Sequence, residues 1–417
     1  MSTPTICDLS DPGNFLDGVT PWRAFDELRA HDPLHWQDEG AHGRGFWSLT
    51  RHADIVRVSA DPVTFTSDKF TNLEEVDEQQ AARRRSMLET DGPRHRELRR
   101  LLIRDFTARA VAGYETFLRG LVGLTLDRLK EPSFDFVEAV AADFPINVLA
   151  RMLDVPDTQQ LIDWGNAIIE NTDPQKLASN EAYRDLPFRS PAAQEVFEYG
   201  RRLAAQRRGG DGTDLVSKLA RELDGRDFDN YFLLLVVAGN ETTRHAISHS
   251  MVALMEHPEQ RELFLEHPGT GVEECLRWAS PVYHFRRTAT RDVEMHGKRI
   301  RAGDKVVMWF ASGNRDERVF AEPYRFDVTR ADNDHLTFGK GGPHYCLGAS
   351  LAKLELRVLF EELLPRLPDL APAGPVRRVR SNFIHGIAEL PVRRAPGAAG
   401  PGAASRPAPA AARPSAP

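Results

Sequence analysis

The residue best suited to chemistry is Cys346, which ends a glycine-rich loop and precedes a predicted helix. Gly339, Gly341 and Gly342 lie in the loop, and glycine lets the backbone approach a flat ligand closely. N–H groups of a helix beginning at Leu347 would point towards the sulfur, which predicts a lowered thiol pKa and a thiolate. A thiolate in an apolar loop is an electron-donating ligand suited to haem iron. A cysteine without such neighbours is more often simply buried.

A second polar group interrupts the longest predicted helix, residues 228–256. Glu241, Thr242 and Thr243 follow an apolar run, and a buried helix rarely accepts such residues without a partner or a task. A threonine hydroxyl can bond to the carbonyl four residues earlier, and Gly239 removes side-chain bulk there. The pattern predicts a polar notch that holds dioxygen and a water beside a flat ligand. A solvent-facing Glu-Thr-Thr is the alternative.

A basic helix is predicted over residues 94–104, after Asp91-Gly-Pro93. His95 and Arg99 are four residues apart and therefore project from the same helix face. Two such groups can clamp paired carboxylates, such as the propionates of haem. A solvated basic surface helix explains the same spacing equally well.

The cysteine loop resembles the haem-binding signature of the cytochromes P-450, which it matches at Phe338, Gly339, Gly342, His344, Cys346 and Gly348. The resemblance covers roughly residues 21–392. It implies a mainly α fold with small β-sheets, triangular in outline, with haem b between a long central helix and the helix of the cysteine loop. Cys346 would ligate iron, and Glu241 and Thr242 would form the oxygen-activation motif. The implied propionate ligands are His95, Arg99, Arg287 and His344, and the other implied haem contacts are Phe338, Gly339, Gly348 and Ala238.

The loop departs from the common pattern in one respect. Phe338 lies eight positions before Cys346, one more than in most of the family, so an extra residue is present at Gly341 or Gly342. This variant is similar to the loop of actinobacterial P-450s that hydroxylate steroid side chains and methyl-branched lipids. The segments 238–244 and 382–386 look like those enzymes as well.

A third motif is structural in the same family. Glu274 and Arg277 are three residues apart on a predicted helix, which alone indicates only a weak surface ion pair. With Arg325, in the stretch before the cysteine loop, they resemble the family's buried Glu-Arg-Arg cluster. That cluster would hold together the side of the protein behind the cysteine.

Composition excludes several other classes. The chain has 417 residues and a net charge of −7, which argues against nucleic acid as the main partner. Its three cysteines are scattered, as in a reducing cytoplasm, and no C-x-x-C-H is present to attach haem covalently. No signal peptide is visible. The longest apolar run, residues 231–239, is about half of a membrane span. We therefore expect a cytoplasmic protein without a transmembrane segment, and a monomer.

The remaining pattern predicts how the chain is organised. We expect one domain over residues 1–394 and a disordered Ala/Pro/Gly-rich tail over 395–417. Polar, irregular composition predicts a solvated loop over residues 63–90. The other expected elements are a hairpin at 34–50, helices at 21–29 and 52–58, two helices within 111–156 interrupted near 131–133, a helix pair at 161–170 and 191–207 joined by a polar lid loop, and a buried strand at 305–310.

These motifs predict a monooxygenase that inserts one oxygen atom of O2 into an apolar substrate, with NAD(P)H electrons delivered by a reductase and an acidic ferredoxin. Lys353, Arg357 and the arginines of residues 94–109 would form the basic ferredoxin surface. We expect a steroid, terpenoid or branched lipid, in a pocket built from Val237, Val282, Phe285 and Ile384 with polar handles at Tyr283, His284 and His385. The alternatives are oxidation of a polyketide or peptide, a peroxide-driven peroxygenase, and a haem sensor without turnover.

Overall fold

The computed structural model describes residues 7–40, 43–170, 183, 186, 188, 190–366 and 368–394. The predicted disordered tail, residues 395–417, and most of the expected lid loop between residues 171 and 189 lie outside the described residues. The single domain over residues 1–394 stays a prediction.

Helices form most of the described chain and pack around one long helix, α11 (Gly225–Glu256), called the central helix below. Before it come α1 (Thr20–His31), α2 (His52–Ala60), α3 (Glu78–Arg83), α4 (Gly92–Leu102), α5 (Ala108–Ala112), α6 (Glu115–Arg128), α7 (Asp143–Leu153), α8 (Thr158–Glu170), α9 (Pro191–Arg207) and α10 (Leu215–Glu222). After it come α12 (Glu259–Glu266), α13 (Pro268–Ala279), α14 (Phe310–Gly313) and α15 (Ala349–Arg366). The mainly α architecture is confirmed.

The central helix is the axis of the main hydrophobic core. Its apolar run from Phe228 to Val236 and its second half from Ala246 to Met255 are largely buried. A helix that is apolar on most of its circumference has to be covered on several sides. It accordingly packs against α7, α8, α9 and α13. Within the described ranges, no helix combines the length and apolar character that a bilayer crossing requires.

Small sheets occupy the edges of this helical body. The largest has the order β1-β2-β8-β5-β3, with β2 and β8 parallel and the other pairs antiparallel. Its strands are β1 (Leu34–Gln37), β2 (Phe46–Leu49), β3 (Phe65–Thr66), β5 (His284–Ala289) and β8 (Lys305–Trp309). The expected hairpin and the buried strand are thereby confirmed. The smaller sheets are β4-β12-β9 (Ser133–Asp135, Pro391–Arg394, Leu370–Pro372), β10-β11 (Arg377–Arg378, Ile387–Glu389) and β6-β7 (Val293–Met295, Lys298–Ile300).

The expectation of a solvated loop over residues 63–90 is wrong. The segment contains β3 and α3, and several of its polar side chains are buried against one another. Arg84 donates to Glu74 at 2.8 Å, and Glu89 accepts hydrogen bonds from Thr71 and Ser86. Polar composition did not imply exposure here, because these side chains form hydrogen bonds with one another. Similarly, two helices alone do not account for residues 111–156, where α6 and α7 are separated by β4 and a π-helical turn at Val137–Ala142.

The buried ionic cluster differs from the prediction in its third member. Glu274 and Arg277 are fully buried and joined by two hydrogen bonds of 2.7 and 2.8 Å. The side chain of Arg325, however, is 59% exposed and faces Glu322. The Nε atom of Arg330 lies 3.3 Å from Glu274 Oε2 instead, with its side chain 11% exposed. Arg325 contributes only its carbonyl oxygen, which accepts from both Arg277 and Arg330.

Replacing Arg330 by alanine should therefore destabilise the protein, whereas replacing Arg325 should not. Arg330→Ala removes a buried cation next to Glu274 and three bonds to backbone carbonyls, so we expect a loss of about 1–3 kcal/mol in the free energy of unfolding. Arg325→Ala, the matched surface control, should stay within about 0.5 kcal/mol. Urea unfolding at pH 7 measures both, and a larger loss for Arg325→Ala would contradict the assignment.

Candidate functional site

The cysteine loop is a tight turn in front of α15 (Ala349–Arg366), called the cysteine helix below. Phe338 accepts a hydrogen bond from the backbone N–H of Cys346 at 2.8 Å, and Gly339 takes a φ of 71° to make the turn. The helix begins at Ala349, two residues later than predicted. The N–H groups of Gly348 and Ala349 do reach the sulfur, as expected.

The prediction of a lowered Cys346 pKa is nevertheless wrong. Desolvation by the protein around the sulfur raises the pKa of the thiol, and it outweighs the opposing effects of the Gly348 N–H, the Arg99 charge and the Ala349 N–H. The helix start alone therefore does not make a stable thiolate, which requires a further positive partner at the sulfur.

The extra residue of the loop packs against the end of α2. A Cβ on Gly341 would lie 3.0 Å from Val56 Cγ1, and a Cβ on Gly342 would lie 1.9 Å from the Ser59 carbonyl oxygen. Only glycine fits at position 342, because a backbone oxygen occupies the side-chain position. The loop variant is thus built around a close contact with α2.

Cys346 faces a cavity of ≈ 240 Å³ between the central helix and the cysteine helix. One wall comes from the central helix, whose lining residues recur every three or four positions and so share one face. They are Tyr231, Leu234, Leu235, Ala238, Gly239, Thr242, Thr243 and Ala246. The Thr242 hydroxyl donates to the Ala238 carbonyl at 2.9 Å, as expected for a threonine on a helix. Other predicted positions that line this cavity are Phe338, Gly339, Gly348, Val282 and Phe285.

Glu241 does not face the cavity with Thr242. It is 1% exposed, and its Oε1 atom would lie 3.3 Å from a Cβ added to Gly165 of α8. From the central helix itself, Arg244 donates to its Oε2 atom and His245 Nε2 lies 3.5 Å away. Arg244 also donates to Asn166 of α8 at 2.7 Å. Burial opposes ionisation, but the His245 and Arg244 contacts outweigh it, so the Glu241 pKa is lowered and the carboxylate is charged. Consecutive helix residues point about 100° apart, which separates the two predicted partners.

A cationic group, defined by His95, Arg99, Arg287 and His344, lines the cavity as predicted. In the described part of the chain, no carboxylate forms an ion pair with Arg99 or Arg287, although Arg287 is only 6% exposed. His95 is held neutral, because burial and the neighbouring His344 and Arg99 lower its pKa to about 4. It acts as a hydrogen-bonding group rather than as a cation.

His344 is the member of this group that forms an ion pair with a carboxylate among the described residues. Its Nε2 atom lies 2.9 Å from Asp91 Oδ1. Burial opposes ionisation of Asp91, but hydrogen bonds from His344, Thr66 and the Ser67 N–H lower its pKa to about 2. Asp91 therefore orients His344, while the two arginines remain available to a bound anion.

Several predicted pocket residues lie elsewhere. Val237 and Ile384 do not line the cavity, and Ile384 is buried in a bridge to Val282. The proposed polar handles Tyr283, His284 and His385 are buried among other rings and backbone groups rather than exposed to the cavity. The prediction took the sequence neighbours of pocket residues to be pocket residues, although side chains alternate in direction along β5.

Sequence reasoning also missed lining residues. The apolar ones are Met87, Leu88, Phe106, Leu149, Met152, Leu234, Leu235 and Phe310. Helical spacing back from Ala238 indicates Leu234 and Leu235, but no local signal marks the others. Glu355 lines the cavity from the cysteine helix, and burial raises its pKa well above the ordinary value.

Comparisons with known proteins agree on the family. The family model "Cytochrome P450" matches residues 270–368. A methyl-branched lipid omega-hydroxylase of Mycobacterium tuberculosis is 38% identical over 366 residues, which cover 84% of each chain. A steroid C26-monooxygenase of Mycolicibacterium smegmatis is 35% identical over 418 residues, covering 93% of this chain and 94% of the relative. A solved Mycobacterium marinum cytochrome P450 in complex with pseudoionone superposes with a TM-score of 0.86 at 38% identity, covering 94% and 99% of the two chains.

Proposed function

Because the chain belongs to the cytochrome P450 family and is a P450 monooxygenase, we propose that it hydroxylates an apolar, methyl-branched substrate near a terminal methyl group. The substrate class is a steroid side chain, a terpenoid or a branched lipid. The observation that carries this proposal is the apolar character of the cavity walls around Cys346.

The apolar walls come from elements that are far apart in the sequence. Met87 and Phe106 precede and follow α4, Leu149 and Met152 lie on α7, and Phe285 lies on β5. Apart from the cationic group, the charged lining residues are Lys340 and Glu355, and the second of these is neutral. A long apolar substrate fits such a cavity better than a polar one, because buried polar groups need partners. The omega-hydroxylase and the C26-monooxygenase among the relatives support the same class.

The residues present fit the haem that the family implies. Cys346 offers a sulfur at the cavity wall, and Arg99 and Arg287 are cations that form no ion pair with the described carboxylates, so each can take one haem propionate. His95 and the Asp91-oriented His344 would add hydrogen bonds. We assign iron ligation to Cys346, whose deprotonation the metal itself favours. When bound, haem supplies the activation of O2.

Thr242 is the residue we assign to proton delivery on the cavity side. Its hydroxyl donates to Ala238, so its oxygen remains free to accept a hydrogen bond from a water in the cavity. Glu241 would have to leave Arg244 and rotate to reach that water. We therefore separate the two roles: Thr242 holds the water, and Glu241, ionised beside Arg244, would pass on a proton only after leaving Arg244 and taking one up.

Electrons would come from NAD(P)H through a reductase and an acidic ferredoxin. The expected basic surface is smaller than predicted, since Lys353 pairs with Glu273 at 2.6 Å and Arg357 pairs with Glu115 at 2.8 Å. Within residues 94–109, the exposed arginines that form no ion pair with the described residues are Arg96, Arg100, Arg104 and Arg109. The monomeric state and the cytoplasmic location stay predictions.

Substrate titration tests the proposed class. Sterols and branched terpenoids should convert the ferric protein from low to high spin, as measured by the blue shift of the Soret band. A discrimination of only about 1–3 kcal/mol per methylene in an apolar pocket predicts that several related substrates bind. A macrolide and a peptide of similar size are the controls. A spin shift with these alone would overturn the substrate class and leave the monooxygenase assignment intact.

Cys346→Ser tests the ligand assignment. The variant should lose the red-shifted Soret band of the ferrous–CO complex, because a serine oxygen does not donate charge to iron as a thiolate does. The matched controls are Cys275→Ser and Cys7→Ser, which replace a buried and a partly exposed cysteine outside the cavity. Retention of the thiolate-type band in Cys346→Ser would mean that another residue ligates iron.

Thr242→Ala tests proton delivery. The variant should bind haem and consume NAD(P)H but release peroxide, with product formation falling by about 10²–10⁴-fold, the usual contribution of an acid–base group. Thr242→Ser keeps the hydroxyl and should keep most of the coupling. The measurement is product and peroxide per NAD(P)H with saturating ferredoxin. Unchanged coupling in the alanine variant, or full activity with peroxide alone, would contradict the role.

A further inference from the structure

Residues 382–387 are called the C-terminal segment below. Four buried histidines form hydrogen bonds that connect this segment to the backbone or side chains of neighbouring elements. His284 donates from Nδ1 to the Asn382 carbonyl at 3.1 Å, and His249 donates from Nε2 to the His385 carbonyl at 3.1 Å. His385 itself donates from Nδ1 to the Ala279 carbonyl at 2.6 Å. The fourth bond runs the other way, since the Ile387 N–H donates to Nδ1 of His245 at 3.3 Å.

The C-terminal segment supports the cavity wall from behind. Ile384 forms a β-bridge with Val282, the His385 N–H donates to the Pro281 carbonyl at 2.9 Å, and both Pro281 and Val282 line the cavity. On its other side the segment contacts the central helix through His245 and His249, one helical turn apart. The histidines thus connect the central helix to the wall that carries Val282.

We propose that His245, His249, His284 and His385, the histidine clamp, are positioning residues that hold the C-terminal segment and thereby set the substrate-contacting wall, and that protonation of His245 releases it. The proposal deepens the proposed function and rests on it for the identity of the cavity as the substrate site. None of the four residues touches the cavity or takes part in the chemistry.

His245 differs from the others because it accepts its bond from the backbone of the C-terminal segment. His385 also accepts a bond, at 3.5 Å from the Arg378 side chain, but that bond does not involve the central helix. A neutral imidazole has one acceptor nitrogen, and an imidazolium has none. Protonation of His284, His249 or His385 would leave their donor bonds intact, whereas protonation of His245 would place an N–H against the Ile387 N–H. The Val282 wall would then lose one of its attachments to the central helix.

The charged groups around the clamp determine when this happens. Those facing it are Glu241 and Arg244 from the central helix, Arg286 from β5, Arg378 from β10 and Arg315. Burial lowers the pKa of His245, Glu241 opposes that shift, and Arg244 adds to it, so His245 is neutral at pH 7. Burial lowers the pKa of His284 and of His385 to about 3. As a group with a lowered folded-state pKa, His245 holds the segment above its unfolded pKa of about 6.5 and loses that hold as pH falls.

Hydrogen–deuterium exchange of the holoenzyme, corrected for the intrinsic exchange rate at each pH, measures the attachment directly. The protection factor of the Ile387 amide in the wild type should fall about tenfold between pH 7.5 and pH 5, the effect of one hydrogen bond. His245→Asn places an amide oxygen near the position of Nδ1, accepts at every pH, and should keep the protection at both values. His245→Leu should show the low value at both.

The proposal is overturned if the wild-type protection does not change between the two pH values, or if His245→Asn loses protection on acidification as the wild type does. Comparing the Ile387 protection factors of the wild type and His245→Asn decides the proposal even if His245→Leu does not fold. The same samples, titrated with a sterol, should show an affinity that falls on acidification in the wild type and not in His245→Asn. Because exchange is measured without substrate, absence of sterol binding would overturn the proposed function and leave the clamp intact.

Discussion

The positive charges of Arg99 and Arg287 at the cavity wall, which form no ion pair with a carboxylate of the described residues, are the constraint on which the rest of the site depends. Arg287 is almost fully buried, and burial lowers the pKa of its guanidinium to about 10. Keeping such a group in a protein interior without an anion is unfavourable. Among the described residues, Asp91 pairs with His344, and Asp91 and Glu89 act on Arg287 only from beyond ion-pair distance. A dianionic cofactor such as haem would therefore complete the electrostatics of the fold as well as the chemistry, and would stabilise the native state by binding it selectively.

Side chains on different faces of the central helix have different roles. Thr242 faces the cavity, Glu241 faces α8 through Arg244, and His245 and His249 face the C-terminal segment. Because one rigid helix carries all of these side chains, a displacement of α8 or of the C-terminal segment changes the surroundings of the same few turns. Arg244, His245 and His249 have partners on neighbouring elements, whereas Thr242, Ser248 and Ser250 donate to carbonyls of the helix itself.

Sequence patterns predicted the parts of this structure that depend on local spacing. The position of Cys346 at the cavity, the i, i+4 pair His95 and Arg99, and the bond from Thr242 to Ala238 all follow from short motifs. The errors arose where three-dimensional context decides. Arg330 lies next to Glu274 in place of Arg325, whose side chain is 59% exposed and pairs with Glu322. The Cys346 pKa rises because desolvation outweighs the helix start, and desolvation cannot be read from neighbouring residues.

The contact between the cysteine loop and α2 has a consequence for exchanging parts among related enzymes. Gly342 leaves no space for a side chain because the Ser59 carbonyl oxygen lies where its Cβ would be, and Gly341 packs on Val56. The cysteine loop can therefore be transplanted between related enzymes only together with the last turn of α2. A shorter loop taken from another family member would leave Val56 and Ser59 uncovered, so a chimera must exchange α2 together with the loop.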